Sequence, residues 1–253
     1  SPKLFTTDKE LSSSLINQIY QDRNGFIWIA TEDGLNRYDG AKFTIYKHEP
    51  NNEHSLAHNF VRTVFEDSKG HLLIGTYIGI QMYDPATDNF TPLAKLEDTG
   101  ETLESNINSF IERKNGEIWV SGNVLCKLDI KDHLLTVRKV DIAVTSPGSL
   151  FEDKKQNVWM AKGEEGVYQL TPDNQLTLHL SKDNGYVKSI CEDQRGNIYV
   201  GSIRKGLFIY DKERKTFVPV DLKEKGELPV CFLYSGPQNE LYIGTDGKGM
   251  SVY

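Results

Sequence analysis

Short apolar bursts broken by polar turns run along this chain, and one of them repeats. Its clearest copy is Phe26-Ile27-Trp28-Ile29-Ala30, preceded by Asp22-Arg23-Asn24-Gly25 and followed by Glu32-Asp33-Gly34 and a second burst ending at Tyr38. The Trp28 position returns as Leu73, Trp119, Trp159, Tyr199 and Tyr242, at spacings of 40 to 46 residues. An apolar residue follows each time (Ile29, Ile74, Val120, Met160, Val200, Ile243), then a small one (Ala30, Gly75, Ser121, Ala161, Gly201, Gly244). Runs apolar on both faces suit strands covered on both sides. The small residue predicts close approach of neighbouring sheets. A period in the forties without helical periodicity is that of a four-stranded propeller blade.

The polar turns fit the same unit. Asp22-Arg23-Asn24-Gly25, Asp67-Ser68-Lys69-Gly70 and Asp193-Gln194-Arg195-Gly196 are hairpin signals with Gly at positive φ. Arg113-Lys114-Asn115-Gly116 and Asp153-Lys154-Lys155-Gln156 are weaker copies. They predict a first strand at 16–20, 61–65 and 187–191, the second on the repeat itself, and a third at 34–38, 79–83, 166–170, 206–210 and 249–253. A fourth is predicted around Phe43, Phe90, Leu134, Leu176 and Phe217. The fold class expected is all-β: a β-propeller of four-stranded antiparallel blades forming one domain over 1–253. Phe5 resembles a fourth-strand residue, and the last copy reaches only its third strand. Residues 1–15 are therefore expected to supply a strand that closes the ring. A six-bladed ring and a truncated seven-bladed one both fit.

Composition narrows the partners. A net charge of -7 argues against nucleic acid and anionic membrane surfaces. No segment approaches the length of a bilayer-spanning apolar run, and neither a signal peptide nor an initiator Met is present, as in a processed mature form or a cut piece. Cys126, Cys191 and Cys231 lack metal spacing and read as buried free thiols. His48, His54 and His58, scattered through a polar loop, read as solvated surface, so no metal and no cofactor are expected. Asp22, Asp67, Asp153 and Asp193 recur at one hairpin position, one to a blade. They read as turn stabilisers, not as the paired carboxylates a glycosidase needs. No Walker loop, HExxH or GxSxG is present, and the repeated Trp and Tyr residues read as core.

Binding is better supported than catalysis. In a propeller the loops between second and third strands share one face with those leading into the next blade. These loops differ most between the copies, which is how a scaffold carries grafted specificity. Candidate ligand-binding residues from the first loop set are Glu32, Asp33, Tyr77, Lys162, Glu164, Arg204, Lys205, Asp246 and Lys248. His58, Asn59, Asn106 and Tyr186 come from the second set.

The copies resemble the two-component regulator propeller repeat. The run from Phe26 to Gly40 is similar to the first such repeat in hybrid two-component sensors of gut Bacteroidetes. The lead-in Phe5-Thr6-Thr7-Asp8-Lys9-Glu10-Leu11-Ser12 and the follow-on Tyr46-Lys47-His48-Glu49-Pro50-Asn51-Asn52 also resemble that family's start. The resemblance implies the N-terminal periplasmic sensor region of a larger histidine kinase, itself not an enzyme. It also implies detection of an oligosaccharide or other small polar ligand, control of polysaccharide-utilisation genes, and signalling through homodimer geometry. It implies no contact of this region with membrane or nucleic acid. The alternatives are a protein–protein interaction propeller and a propeller lyase or glycosidase.

Overall fold

What folds the hairpin in four of the six blades is a buried carboxylate. Asp22 Oδ1 accepts the backbone N–H groups of Asn24 and Phe26, both at 2.9 Å, and its Oδ2 accepts the Trp28 indole N–H at 2.8 Å. The same pattern recurs at Asp67, Asp153 and Asp193. A carboxylate holding several N–H groups fixes the turn and so the register of the strands on either side.

The computed structural model describes residues 4–7, 10–180, 185–222 and 228–253, with no helix among them. The fold class is that of a β-propeller, and six blades follow one another along the chain. They fall into two compact units, Ser1–Val140 and Asp141–Tyr253. In the first unit, blade 1 is Ile16–Gln21 (β1), Ile27–Thr31 (β2), Gly34–Tyr38 (β3) and Phe43–Tyr46 (β4). Blade 2 is Val61–Glu66 (β5), Leu72–Thr76 (β6), Ile80–Asp84 (β7) and Asn89–Phe90 (β8). A short strand, Lys95–Leu96 (β9), precedes blade 3, which is Ser109–Glu112 (β10), Ile118–Ser121 (β11), Leu125–Lys131 (β12) and Leu134–Lys139 (β13). In the second unit, blade 4 is Leu150–Glu152 (β14), Val158–Lys162 (β15), Gly166–Leu170 (β16) and Leu176–Leu180 (β17). Blade 5 is Val187–Glu192 (β18), Ile198–Ser202 (β19), Gly206–Asp211 (β20) and Thr216–Pro219 (β21). Blade 6 is Val230–Ser235 (β22), Leu241–Thr245 (β23) and Met250–Val252 (β24). Strands of a blade pair antiparallel in chain order, and β9 joins the outer edge of blade 3 in parallel with β13.

The core lies in the seams between blades. Trp28 and Tyr46 of blade 1 cluster with Val61, Val64 and Ile74 of blade 2. Leu73, Ile80 and Met82 of blade 2 cluster with Ile107, Phe110 and Val120 at blade 3. In the second unit Trp159 and Val167 meet Val187, Ile190 and Val200, and Tyr199 and Leu207 meet Val230 and Leu233. The repeated small residue does what its position predicts: a Cβ at Gly75 would lie 2.6 Å from Ile107, and one at Gly201 would lie 2.5 Å from Val230.

A second joint crosses the seams at the hairpin rim. After three of the four hairpin aspartates, the next residue binds the glutamate that ends the first strand of the next blade. Arg23 pairs with Glu66 at 2.6 Å, Ser68 Oγ donates to Glu112 at 2.5 Å, and the Lys154 N–H donates to Glu192 at 3.1 Å.

Several expectations need correction. The described residues before β1 form no strand; the Phe5 ring lies 5.2 Å from Tyr38 and 5.0 Å from Phe43. It covers an aromatic pair on the outer strands of blade 1 instead of supplying a closing strand. Blade 3 has a full third strand, β12, despite lacking the second Gly of the repeat. Cys126 and Cys191 are buried, whereas Cys231 is half-buried. His48 and His54 are exposed, as expected, and each also holds a backbone carbonyl through Nδ1 (Leu56 at 2.9 Å, Phe90 at 3.1 Å).

Blade 3 also shows how the hairpin survives without its aspartate. Arg113 stands there and stacks 4.6 Å from the Trp119 ring centroid. The acceptor for the indole N–H is Glu117, at 3.0 Å, which also accepts from Lys127 at 2.6 Å. Partial burial opposes ionisation of Glu117, but donors from Lys127, Trp119 and Asn115 outweigh it and bring its pKa down from 4.5 to about 2. A depressed folded pKa means stability that is present above the ordinary value and lost as pH falls through the lower one. Thermal unfolding of Glu117→Gln should therefore differ from wild type by a constant amount above about pH 5 and converge with it between pH 4.5 and 2. A gap that stays unchanged across that window would mean that Glu117 carries no ionic role.

Candidate ligand-binding loops

In the first unit the loop between β6 and β7 meets the loops before β5 and β10. Tyr77 is held there by its N–H bond to the Phe60 carbonyl at 3.0 Å, while its ring stays 54% exposed. His58 lies 5.6 Å and Phe60 6.0 Å from that ring, centroid to centroid. His58 Nδ1 accepts the Phe60 N–H at 2.9 Å, which leaves Nε2 as the nitrogen that carries a proton in the neutral ring. Arg62 lies over the Phe60 ring at 5.5 Å and donates from Nε to Asn106 Oδ1 at 3.0 Å. The five side chains form one continuous group.

Beside it opens a cleft of ≈ 690 Å³ lined by Tyr77, Ile78, Leu93, Glu104, Ser105 and Asn106, with Thr102 and Asn123 at its margin. A second cleft of ≈ 660 Å³ shares Ile78, Leu93 and Thr102 and runs toward His48, Glu49 and Asn52. Apolar Ile78 and Leu93 with amide and hydroxyl groups around them give a surface for stacking and for hydrogen bonds.

The other sequence candidates of this unit act differently. Asn59 is scaffold: its carbonyl accepts from Gly34 at 2.6 Å and its Oδ1 from His48 at 2.8 Å, tying two loops together. Asp33 pairs with Lys47 at 2.5 Å, and Glu32 is exposed beside it. Neither lines the two clefts. The Arg37 guanidinium makes a closed group on the outer strands, within 5.7 Å of the ring centroids of Phe26, Trp28, Tyr46 and Tyr83. It is bound to Asp88 at 3.0 Å, with Tyr46 and Tyr83 donating to the same carboxylate. Burial opposes the Asp88 charge, but those donors and Arg37 hold its pKa below the usual range. That aromatic box is filled by the protein's own cation.

In the second unit, Lys162, Glu164, Tyr186 and Arg204 come together. Arg204 pairs with Glu164 at 2.9 Å across two exposed loops, and Lys162 pairs with Glu165 at 2.7 Å. The Tyr186 ring lies against Gly163, where a Cβ would meet it at 3.0 Å. Lys205 is exposed beside Arg204; Asp246 and Lys248 sit in the exposed β23–β24 turn.

Sequence reading missed Phe60, Arg62, Ile78, Leu93, Glu104, Ser105 and Asn123. Arg62 lies within β5, in the stretch expected as a strand, and Phe60 immediately precedes it. Asn123 had a signal in sequence, since Ser121-Gly122-Asn123-Val124 is one residue shorter than the same turn in other copies and lacks its second Gly; its N–H binds Ser105 Oγ at 2.9 Å and brings that loop to the cleft.

Residues 10–33, 55–77 and 181–204 match the two-component regulator propeller. Three stretches of the chain thus resemble that repeat, and the blades have the propeller fold. These stretches carry Glu32, Asp33, His58, Asn59, Tyr77, Tyr186 and Arg204. The chain is similar to histidine kinase P4 of Formosa agariphila, 42% identical over 55 residues, which is 22% of this chain and 4% of that protein. In fold it resembles the extracellular domain of a B. thetaiotaomicron protein assigned to one-component systems, with a TM-score of 0.72 at 19% identity over 94% of this chain and 34% of that one. An extracellular domain assigned to a hybrid two-component system of the same organism gives 0.62 at 19% identity, over 99% and 41%. A virginiamycin B lyase from Staphylococcus aureus gives 0.69 at 12% identity, over 97% and 87%. The fold thus occurs both in extracellular domains assigned to such systems and in a lyase, and the chain spans about a third of the first solved structure it resembles.

Proposed function

We propose that this chain is an extracytoplasmic ligand-sensing propeller of a hybrid two-component regulator, without catalysis of its own. It binds an oligosaccharide in the loops around Tyr77, and domains outside it, including a histidine kinase, read the event and control polysaccharide-utilisation genes. The observation that carries this reading is the exposed Tyr77 ring, flanked by His58 and Phe60 and opening on a cleft of amide, hydroxyl and apolar groups. Such a surface can stack against a sugar ring and hydrogen-bond its hydroxyls.

Thermal unfolding against a panel of oligosaccharides tests it. A ligand at a hundred times its dissociation constant adds about 2.7 kcal/mol. One glycan class should raise the midpoint, and Tyr77→Ala should abolish that rise while leaving the ligand-free midpoint unchanged, because the ring is exposed. A wild-type shift that persists in Tyr77→Ala would move the site elsewhere, and no shift with any glycan would sink the reading. A second reading, an interaction propeller, is favoured by one observation: Phe232, Tyr234, Met250 and Val252 of blade 6 are all exposed.

A further inference from the structure

Arg62 is the one arginine of the first unit without a carboxylate partner among the described residues. Arg23, Arg37, Arg113 and Arg138 pair with Glu66, Asp88, Glu117 and Glu97. The chain holds 36 acidic side chains against 29 Lys and Arg, so composition does not explain the missing partner. Arg62 is half-buried, and a charge withdrawn from water is normally paired.

A β-bulge sets its position. The pairing of β5 with β6 passes from Val61 opposite Thr76 to Thr63 opposite Gly75, which leaves Arg62 outside the ladder. Bulges re-aim a side chain in this way. The same skip at Asn17 of blade 1 sends its amide to the Val61 carbonyl of the next blade, at 2.7 Å. Arg62 likewise crosses to the loop before β10, with Nε on Asn106 Oδ1 and its guanidinium over the Phe60 ring. Asn106 lines the cleft beside Tyr77. Ring and amide together fix the guanidinium plane and occupy Nε, while Nη1 and Nη2 have no acceptor among the described residues. Those two nitrogens are a fork that takes a carboxylate through parallel N–H bonds.

The clefts beyond carry the opposite charge. Glu104 lines the first, and Glu49 and Glu53 line the second against Lys95 alone. An anionic group is therefore favoured at Arg62 and opposed further along. On the ligand reading of these loops, on which this step rests, we propose that the oligosaccharide carries a single uronic acid. Its carboxylate sits on the Arg62 fork, a sugar ring lies on Tyr77, and neutral sugars fill the clefts beyond.

Titration calorimetry tests it, with oligosaccharides bearing one glucuronate or galacturonate, each beside its carboxyl-reduced form. The wild-type protein should bind one acidic form about ten- to a hundredfold more tightly than its reduced form, the range for hydrogen bonds to a charged group. In Arg62→Gln the two forms should bind alike, a comparison that cancels any general damage from the substitution. Arg62→Lys should keep part of the preference, since it keeps the charge and loses the fork. Equal affinities for the two forms in the wild type would overturn the uronic acid and leave the oligosaccharide reading standing. A preference that survives in Arg62→Gln would overturn the role of Arg62. Tighter binding of oligouronates than of singly acidic sugars would overturn the single charge. Binding of no oligosaccharide at all would sink both readings.

Discussion

Asp153→Ala should be among the most damaging single substitutions in this protein, at about 3–5 kcal/mol. The carboxylate is buried and accepts four N–H groups: the backbones of Lys155 and Asn157 at 2.9 Å, the Asn157 amide at 2.8 Å and the Trp159 indole at 2.9 Å. Alanine leaves all four without their acceptor, and the last three are buried. Each orphaned buried donor costs about 1–3 kcal/mol. The hairpin also loses what sets the register of β14 against β15. Asp193→Ala should cost less, because its Oδ2 serves Asn197 and the residue at the indole position is Tyr199. Urea unfolding followed by Trp159 fluorescence would show the order. Equal, small losses at both positions would mean that the strands hold the turns without help.

Gly166→Ala should be of the same order, at least about 4 kcal/mol, for a different reason. Gly166 opens β16 with φ of +120°, a conformation L residues rarely adopt. A Cβ there would lie 1.4 Å from the Leu180 carbonyl oxygen, a backbone atom of β17. No rotamer change relieves that contact, so β17 must move off its neighbour. Gly206 holds the same repeat position with φ of +80° and its nearest neighbour, the Leu228 carbonyl oxygen, at 3.6 Å, so Gly206→Ala should be much milder. Hydrogen exchange read strand by strand decides it: β17 should lose protection in Gly166→Ala and keep it in Gly206→Ala. Full protection of β17 in the first variant would refute the steric account.

Much of the fold was legible because each blade repeats the same demand. A large residue, an apolar one and a small one recur wherever a seam must be filled, so 16–20, 34–38 and 61–65 could be placed as strands. The hairpin aspartates could be read as turn residues because one sits on each of four separate blades. What pattern could not supply was substitution across the turn. In blade 3 the aspartate position is Arg113 and in blade 6 it is Gly236, and in both a glutamate four residues on does part of its work. Glu117 takes the Trp119 indole, and Glu240 takes the Gln238 N–H at 2.8 Å and the Tyr242 hydroxyl. Phe5 misled for a related reason: an aromatic residue looks the same whether it belongs to a strand or caps one. The candidate loops were found by their variability, which identified Tyr77, His58 and Asn106. Variability says nothing of which neighbours a loop meets, so Phe60, Arg62 and Leu93 came only from the structure.

The joint between Arg23 and Glu66, repeated by Ser68 with Glu112 and Lys154 with Glu192, has a consequence for how such an array grows. Blade 2 carries both halves, Glu66 at the end of its first strand and the donor Ser68 just past its hairpin aspartate. Donor and acceptor thus lie in one unit but pair between successive units. A tandem duplication brings both halves of the joint with it, so a new copy can dock on its parent before any of its seam residues have changed. A repeat that keeps this pair is free to vary its loops from the moment it is born.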